Sequence, residues 1–219
     1  MIIQIYEIKT PAEAKSVVDL GVDQIGMLVG LGKFPGEIDY HLANSISQAI
    51  ACKAQTSVLS LSQNIDDIRD LIKSVKFDIL HLGAHPDKMF PQHIFKLKDE
   101  FPGLKITQVI PVIDDYSIEI AKRYDGVVDF LLLDSFRFSD SKLGATGETH
   151  DWNISRKIVQ SVKVPVILAG GLGPENVTDA IRLVYPAGVN SKTRTDTADG
   201  TAKDLEKIRQ FVAAVKSAA

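Results

Sequence analysis

Apolar residues recur along this chain in two alternating patterns. Short runs rich in Val, Ile and Leu fall at about residues 2–6, 23–29, 53–60, 78–82, 104–111, 127–134, 164–169 and 186–190. Each is followed by a longer stretch in which apolar residues return at helical spacing. A short, nearly continuous apolar run suits a strand buried on both faces, and an i, i+3, i+4 stripe suits a helix with one buried face. The chain therefore reads as eight successive βα units.

Local signals support the helices. Thr10 is the expected N-cap before Pro11, Glu13 follows three positions later, and the stripe Ala14, Val17, Val18 runs until Gly21 stops it. Ser62 precedes the stripe Ile65, Ile68, Leu71, Ile72 and Val75, and a last helix near 203–216 aligns Leu205, Ile208, Phe211, Val212 and Val215. Parallel strands need crossover helices, and eight such pairs form either a closed barrel or an open doubly wound sheet. The turn after the first strand, Glu7-Ile8-Lys9-Thr10-Pro11-Ala12, lacks the glycine-rich fingerprint of the open sheet. The expected fold is thus α/β, a single-domain (β/α)8 TIM barrel over residues 1–219.

Composition narrows the function classes. The 219 residues are 45% hydrophobic and 24% charged with a formal charge of −3, a balance with no general attraction for nucleic acid. Cys52 is the only cysteine, which excludes an internal disulfide and a multi-cysteine zinc site, and its place before the third strand is the wrong end of a barrel for chemistry. The N-terminus has no basic stretch ahead of its apolar residues and no long apolar run occurs, so the expected setting is the cytoplasm, away from membranes.

In a βα barrel, functional side chains stand where strands end. On strand one, Gln4 and Tyr6 alternate with Ile3 and Ile5 and so face the interior, where they serve either an internal hydrogen-bond network or a ligand. Glu7 follows at the strand end. Strand six ends its apolar run on Asp134, where desolvation would lift a carboxyl toward a useful acid. Gly170 and Gly171 directly follow strand seven, and bare backbone amides there suit a phosphate. Asn190, Ser191, Lys192, Thr193 and Arg194 follow strand eight and supply polar groups for the same cradle or for a solvated loop. His81 alternates inward on strand four, with His85 in the loop beyond; the 144–152 loop has the length of a cover over a substrate. Lys192 is the one loop lysine placed for a Schiff base, and a metal held by His81, Glu7 and Asp134 is a minor alternative; no metal and no cofactor are expected.

Taken in order, these segments resemble the phosphoribosylanthranilate isomerase family almost end to end. The resemblance rests on Gly21-Val22-Asp23-Gln24-Ile25-Gly26, Leu132-Leu133-Asp134-Ser135, Gly144-Ala145-Thr146-Gly147 leading to Asp151-Trp152, Leu168-Ala169-Gly170-Gly171-Leu172 with Pro174-Glu175-Asn176-Val177, and Gly200 with Lys203-Asp204. It implies an Amadori rearrangement of a phosphoribosyl amine in which Asp134 is the general acid. It also implies that the backbone around Gly170, Gly171 and the start of the strand-eight loop holds the phosphate, for which Asn190, Ser191, Lys192 and Thr193 are the candidates; Lys33, Thr146 and Arg194, in loops at the same end, are expected as further substrate contacts.

Four departures accompany it. The cysteine that serves the family as base is replaced by Tyr6, leaving Tyr6, Glu7 or His81 as candidates. The family's arginine for the aryl carboxylate is absent from Gly32-Lys33-Phe34-Pro35-Gly36, and the family's Gln-Leu-His-Gly becomes His81-Leu82-Gly83-Ala84. After strand eight, Lys192-Thr193-Arg194-Thr195-Asp196 puts Arg194 where the family has a glycine. The leading expectation is an isomerase acting on a small phosphorylated sugar or sugar-amine, as a monomer or homodimer. The alternatives are a diverged relative with lyase or epimerase chemistry in the same phosphate pocket, and a barrel that binds a phosphorylated metabolite without catalysis.

Overall fold

The structure, a computed structural model, describes residues 1–51, 53–137, 142–144 and 147–218, leaving the side chains of residues 137 and 142 aside. Eight strands run parallel in chain order: β1 Ile2–Ile5, β2 Gln24–Leu28, β3 Gln55–Ser60, β4 Ile79–Leu82, β5 Lys105–Val112, β6 Phe130–Arg137, β7 Val166–Leu168 and β8 Gly188–Ser191. Each pairs with its neighbour and β8 pairs back onto β1, so the sheet closes into the expected barrel. The helices are α1 Pro11–Asp19, α2 Tyr40–Ala49, α3 Ile65–Ser74, α4 Pro91–Glu100, α5 Tyr116–Tyr124, α6 Trp152–Ser161, α7 Val177–Val184 and α8 Leu205–Ala218. β6 runs three residues past Asp134 because Phe136 and Arg137 pair antiparallel with Leu143 and Lys142.

Two of the caps connect the helices to the barrel mouth. Thr10 accepts from the amide of Glu13 at the start of α1, as its position predicts. The Glu13 carboxylate accepts from the amides of Lys9 and Lys203, so it also fastens the segment before α8 to the first βα loop. At α3 the cap is Asn64, accepting from the Asp66 amide, while Ser62 donates to Asp67.

Strand residues of one parity pack under the helices, with Ile3, Ile5, Val58, Leu80, Ile110 and Leu133 among the buried set. The other parity fills the barrel. Val109, Leu132, Ile167 and Ala169 form an apolar plug on the β5–β7 side. Opposite it lies a ladder of amides in register across four strands: Asn190 donates to Gln4, Gln4 to Gln24 and Gln24 to Gln55. Each inner amide gives one hydrogen bond and receives one, which offsets the roughly 1–3 kcal/mol that an unpaired buried polar group costs. Gln4 and Asn190 thus belong to the internal network. Among the described residues no helix is long and apolar enough to cross a membrane.

Candidate active site

The C-terminal ends of the strands surround a cavity of about 720 Å³. Leu28, Phe34, Pro35, Leu59 and Leu61 make an apolar wall on the β2–β3 side, and Glu7, Asp134, Asn190 and Lys192 supply polar groups on the β6–β8–β1 side. Asp134 sits at the rim because the hydrophobic run of β6 carries it there. Its Oδ1 accepts from the Ser135 amide at 2.8 Å. Burial nonetheless dominates and pushes its carboxyl up to about 7, so the group carries a proton for much of the time at neutral pH. Gly144 is packed against it: with φ at +72°, a Cβ there would fall 2.6 Å from Oδ2.

The strand-one position departs from the proton acceptor that spacing and resemblance suggest. The Tyr6 hydroxyl donates to Ser57 Oγ at 2.5 Å and lies 3.1 Å from His81 Nδ1, with the two rings edge to face. Burial pushes the phenol well above its ordinary value, so it stays protonated. The same burial pushes His81 down to about 3, leaving a neutral and weakly basic imidazole. Tyr6 and His81 are therefore held as a hydrogen-bonded chain with Ser57. Glu7, the remaining candidate, is half-buried and lines the cavity beside Gly36, whose Cβ position is 3.5 Å from Glu7 Oε2.

Beneath Glu7 is a buried cation that the sequence reading left without a role. Lys203 Nζ donates to the Tyr6 carbonyl and to Asp196 Oδ1 at 2.5 Å, and reaches the Lys192 carbonyl at 3.5 Å. It joins the end of β1 to the end of β8. Burial pulls its ammonium below the usual lysine value, against the attraction of Asp196. The one sequence signal was its place in the family pattern, since nothing local to residue 203 announces a partner at residue 6.

The glycine turn after β7 adjoins the acid. A Cβ on Gly170 would fall 3.2 Å from the Ser135 amide nitrogen and 2.8 Å from His150 Nδ1, and one on Gly171 would fall 2.7 Å from the Glu148 backbone. Both glycines have positive φ, and the 147–150 segment packs directly on them. Ser191 donates to the Leu172 carbonyl at 2.6 Å, tying this turn to β8, and Thr193 opens a 3-10 turn through Thr195. Asp134 and the glycine turn therefore share one mouth.

Other expected contacts lie elsewhere. Lys33 pairs with Asp67 at 2.8 Å, outside the residues that line the cavity, and Arg194 pairs with Glu175 at 2.7 Å and donates to the Gly147 carbonyl. Lys192 lines the cavity with its ammonium 3.5 Å from Asp196. Thr146 and Cys52 lie outside the described residues. Among the described residues no group of three His, Cys, Asp or Glu side chains is placed to hold a metal ion.

A family model described as N-(5'phosphoribosyl)anthranilate (PRA) isomerase matches residues 7–214. N-(5'-phosphoribosyl)anthranilate isomerase 2 of Methanosarcina mazei is 36% identical over 99% of this chain and 95% of its own length. Among solved structures, the phosphoribosyl anthranilate isomerase of Thermus thermophilus superimposes with a TM-score of 0.84 at 20% identity, covering 100% of both chains. Another solved phosphoribosyl anthranilate isomerase, in complex with reduced 1-(o-carboxyphenylamino)-1-deoxyribulose 5-phosphate, has a TM-score of 0.79 at 22% identity and covers 99% of this chain and 100% of its own. The structural likenesses establish the barrel, and the family match with its sequence relatives establishes the lineage: this chain belongs to the N-(5'-phosphoribosyl)anthranilate isomerase family.

Proposed function

We propose that this barrel catalyses the Amadori rearrangement of N-(5'-phosphoribosyl)anthranilate, with Asp134 as general acid and Glu7 as general base. Asp134 donates its proton to the furanose ring oxygen as the bond from that oxygen to C1 breaks, leaving an iminium at C1. Glu7 takes the C2 proton, the electron pair moves to the iminium, and the resulting enolamine tautomerises to the 1-amino-1-deoxy ketose. The phosphate is held by the turn at Gly170 and Gly171 and by the polar rim Ser191, Lys192 and Thr193, at a helix-like 3-10 start.

The observation that carries this reading is Asp134, a carboxyl lining the cavity with its proton affinity raised to about 7 by burial. An acid of that strength is matched to donating at neutral pH, and such a group contributes about 10²–10⁴ in rate. The Gly170 turn, whose Cβ position lies 3.2 Å from the amide of Ser135 next to Asp134, supports a phosphate held on the same side of the cavity. Purified protein assayed on N-(5'-phosphoribosyl)anthranilate tests it: turnover in the wild type that is lost in Asp134→Asn supports the reading, and no turnover by the wild type overturns it.

The Tyr6 phenol favours one competing reading, a barrel that binds the phosphosugar without converting it, because that hydroxyl stays protonated. Binding of the product analogue with no turnover would establish that reading instead.

A further inference from the structure

The cavity has a donor on its amine-binding side that neither the family match nor the catalytic pair accounts for. His85 stands in the loop after β4 and lines the cavity. The Asp87 amide donates to His85 Nδ1 at 3.2 Å, and the Asp87 carboxylate lies 3.4 Å from the same nitrogen. A ring nitrogen that accepts a hydrogen bond carries no proton, so the neutral imidazole places its hydrogen on Nε2. The ring is held edge to face against Phe136, with centroids 6.2 Å apart, and Phe136 also lines the cavity. The loop itself is braced. The His85 carbonyl accepts from the amides of Lys88 and Met89, and the buried Tyr124 hydroxyl donates to the carbonyls of Pro86 and Met89.

Substrate orientation follows from the ribose. Its C5 phosphate and its C1 amine are at opposite ends of the sugar, so a phosphate anchored at β7–β8 and a ring oxygen at Asp134 direct the amine substituent toward β2–β4. That wall is apolar, which suits an aryl ring. Lys33, the nearest lysine in the chain to Phe34 and Pro35 of that wall, is turned to Asp67. Lys192, the lysine that lines the cavity, stands across it at the end of β8. We propose that His85, through Nε2–H, recognises the carboxylate on the aryl group of the substrate. His85 is then a specificity-determining residue. The inference rests on the reading in the preceding subsection, which supplies the aryl carboxylate.

Calorimetry with two probes tests it: reduced 1-(o-carboxyphenylamino)-1-deoxyribulose 5-phosphate and its phenylamino analogue lacking the carboxyl group. The wild type binds the carboxylated probe more tightly. His85→Ala loses on the order of 10-fold in affinity for that probe and nothing for the analogue, as expected for one charge-assisted hydrogen bond. His85→Gln, which keeps a donor, recovers part of the loss, and thermal melting checks that each variant is folded. Equal losses on both probes, no loss on either, or a wild type indifferent to the carboxylate would overturn the role of His85 while leaving the isomerase reading intact. A wild type that binds neither probe removes that reading, and the role of His85 with it.

Discussion

The Tyr6 ring lies on the backbone of Gly26, where a Cβ would fall 2.2 Å from the ring carbons. A tyrosine at the end of β1 is possible because its β2 neighbour has no side chain. The same placement brings the hydroxyl to Ser57 and His81. Gly26→Ala should therefore destabilise the barrel by about 1–3 kcal/mol through overpacking. Adding Tyr6→Ala to it should cost less than the sum of the two single changes, because the clash has then been removed. Urea unfolding of the three variants measures the coupling.

Asp134 predicts opposite effects on stability and activity. Its folded value is raised to about 7 against an ordinary value near 3.9. Between those values the folded state binds more protons than the unfolded one, so stability contributed by this group is fully present below about pH 4 and declines until about pH 7. Asp134→Asn should remove that decline and leave the protein more stable than wild type at pH 8. It should also lower kcat by about 10²–10⁴. Denaturation midpoints across pH together with steady-state assays test both halves. Turnover in the wild type should fall as pH rises through about 7, since the acid is then deprotonated.

Glu7→Gln discriminates among the candidate bases. With Glu7 as base, this variant should lose about 10²–10⁴ in kcat with the melting temperature almost unchanged, since the side chain is only half-buried. Tyr6→Phe should retain most of the activity and lose stability instead, because Ser57 and His81 each lose a buried partner. The reverse pattern would return the base to Tyr6.

The Lys203–Asp196 pair is almost closed to solvent, with side chains 2% and 8% exposed. Removing Lys203 leaves the buried Asp196 with only the Lys192 ammonium at 3.5 Å, so Lys203→Met should cost up to about 3–5 kcal/mol. A double change to Met and Leu should be less damaging than either single change. Chemical denaturation reads the energies. Because Lys203 also holds the Tyr6 carbonyl next to Glu7, the folded fraction of Lys203→Met should show a reduced kcat.

The elements and their order are written in local residue patterns. Strand runs and helical stripes depend on residues within one turn or one strand of each other, and so does the placing of Asp134 at the end of an apolar run. Gly170 and Gly171 were legible for the same reason, as a turn that only small residues can make. What each polar side chain does was decided by contacts that close only when the barrel closes. Tyr6 meets Ser57 across 51 residues and Lys203 meets Tyr6 across 197, and Lys33 finds Asp67 in the first turn of α3. Proton affinity depends on burial and on such distant partners. Position along the chain therefore identified Tyr6, Glu7 and His81 as alternatives, and only the packed interior separated a locked phenol and a weakly basic imidazole from a carboxylate facing the cavity.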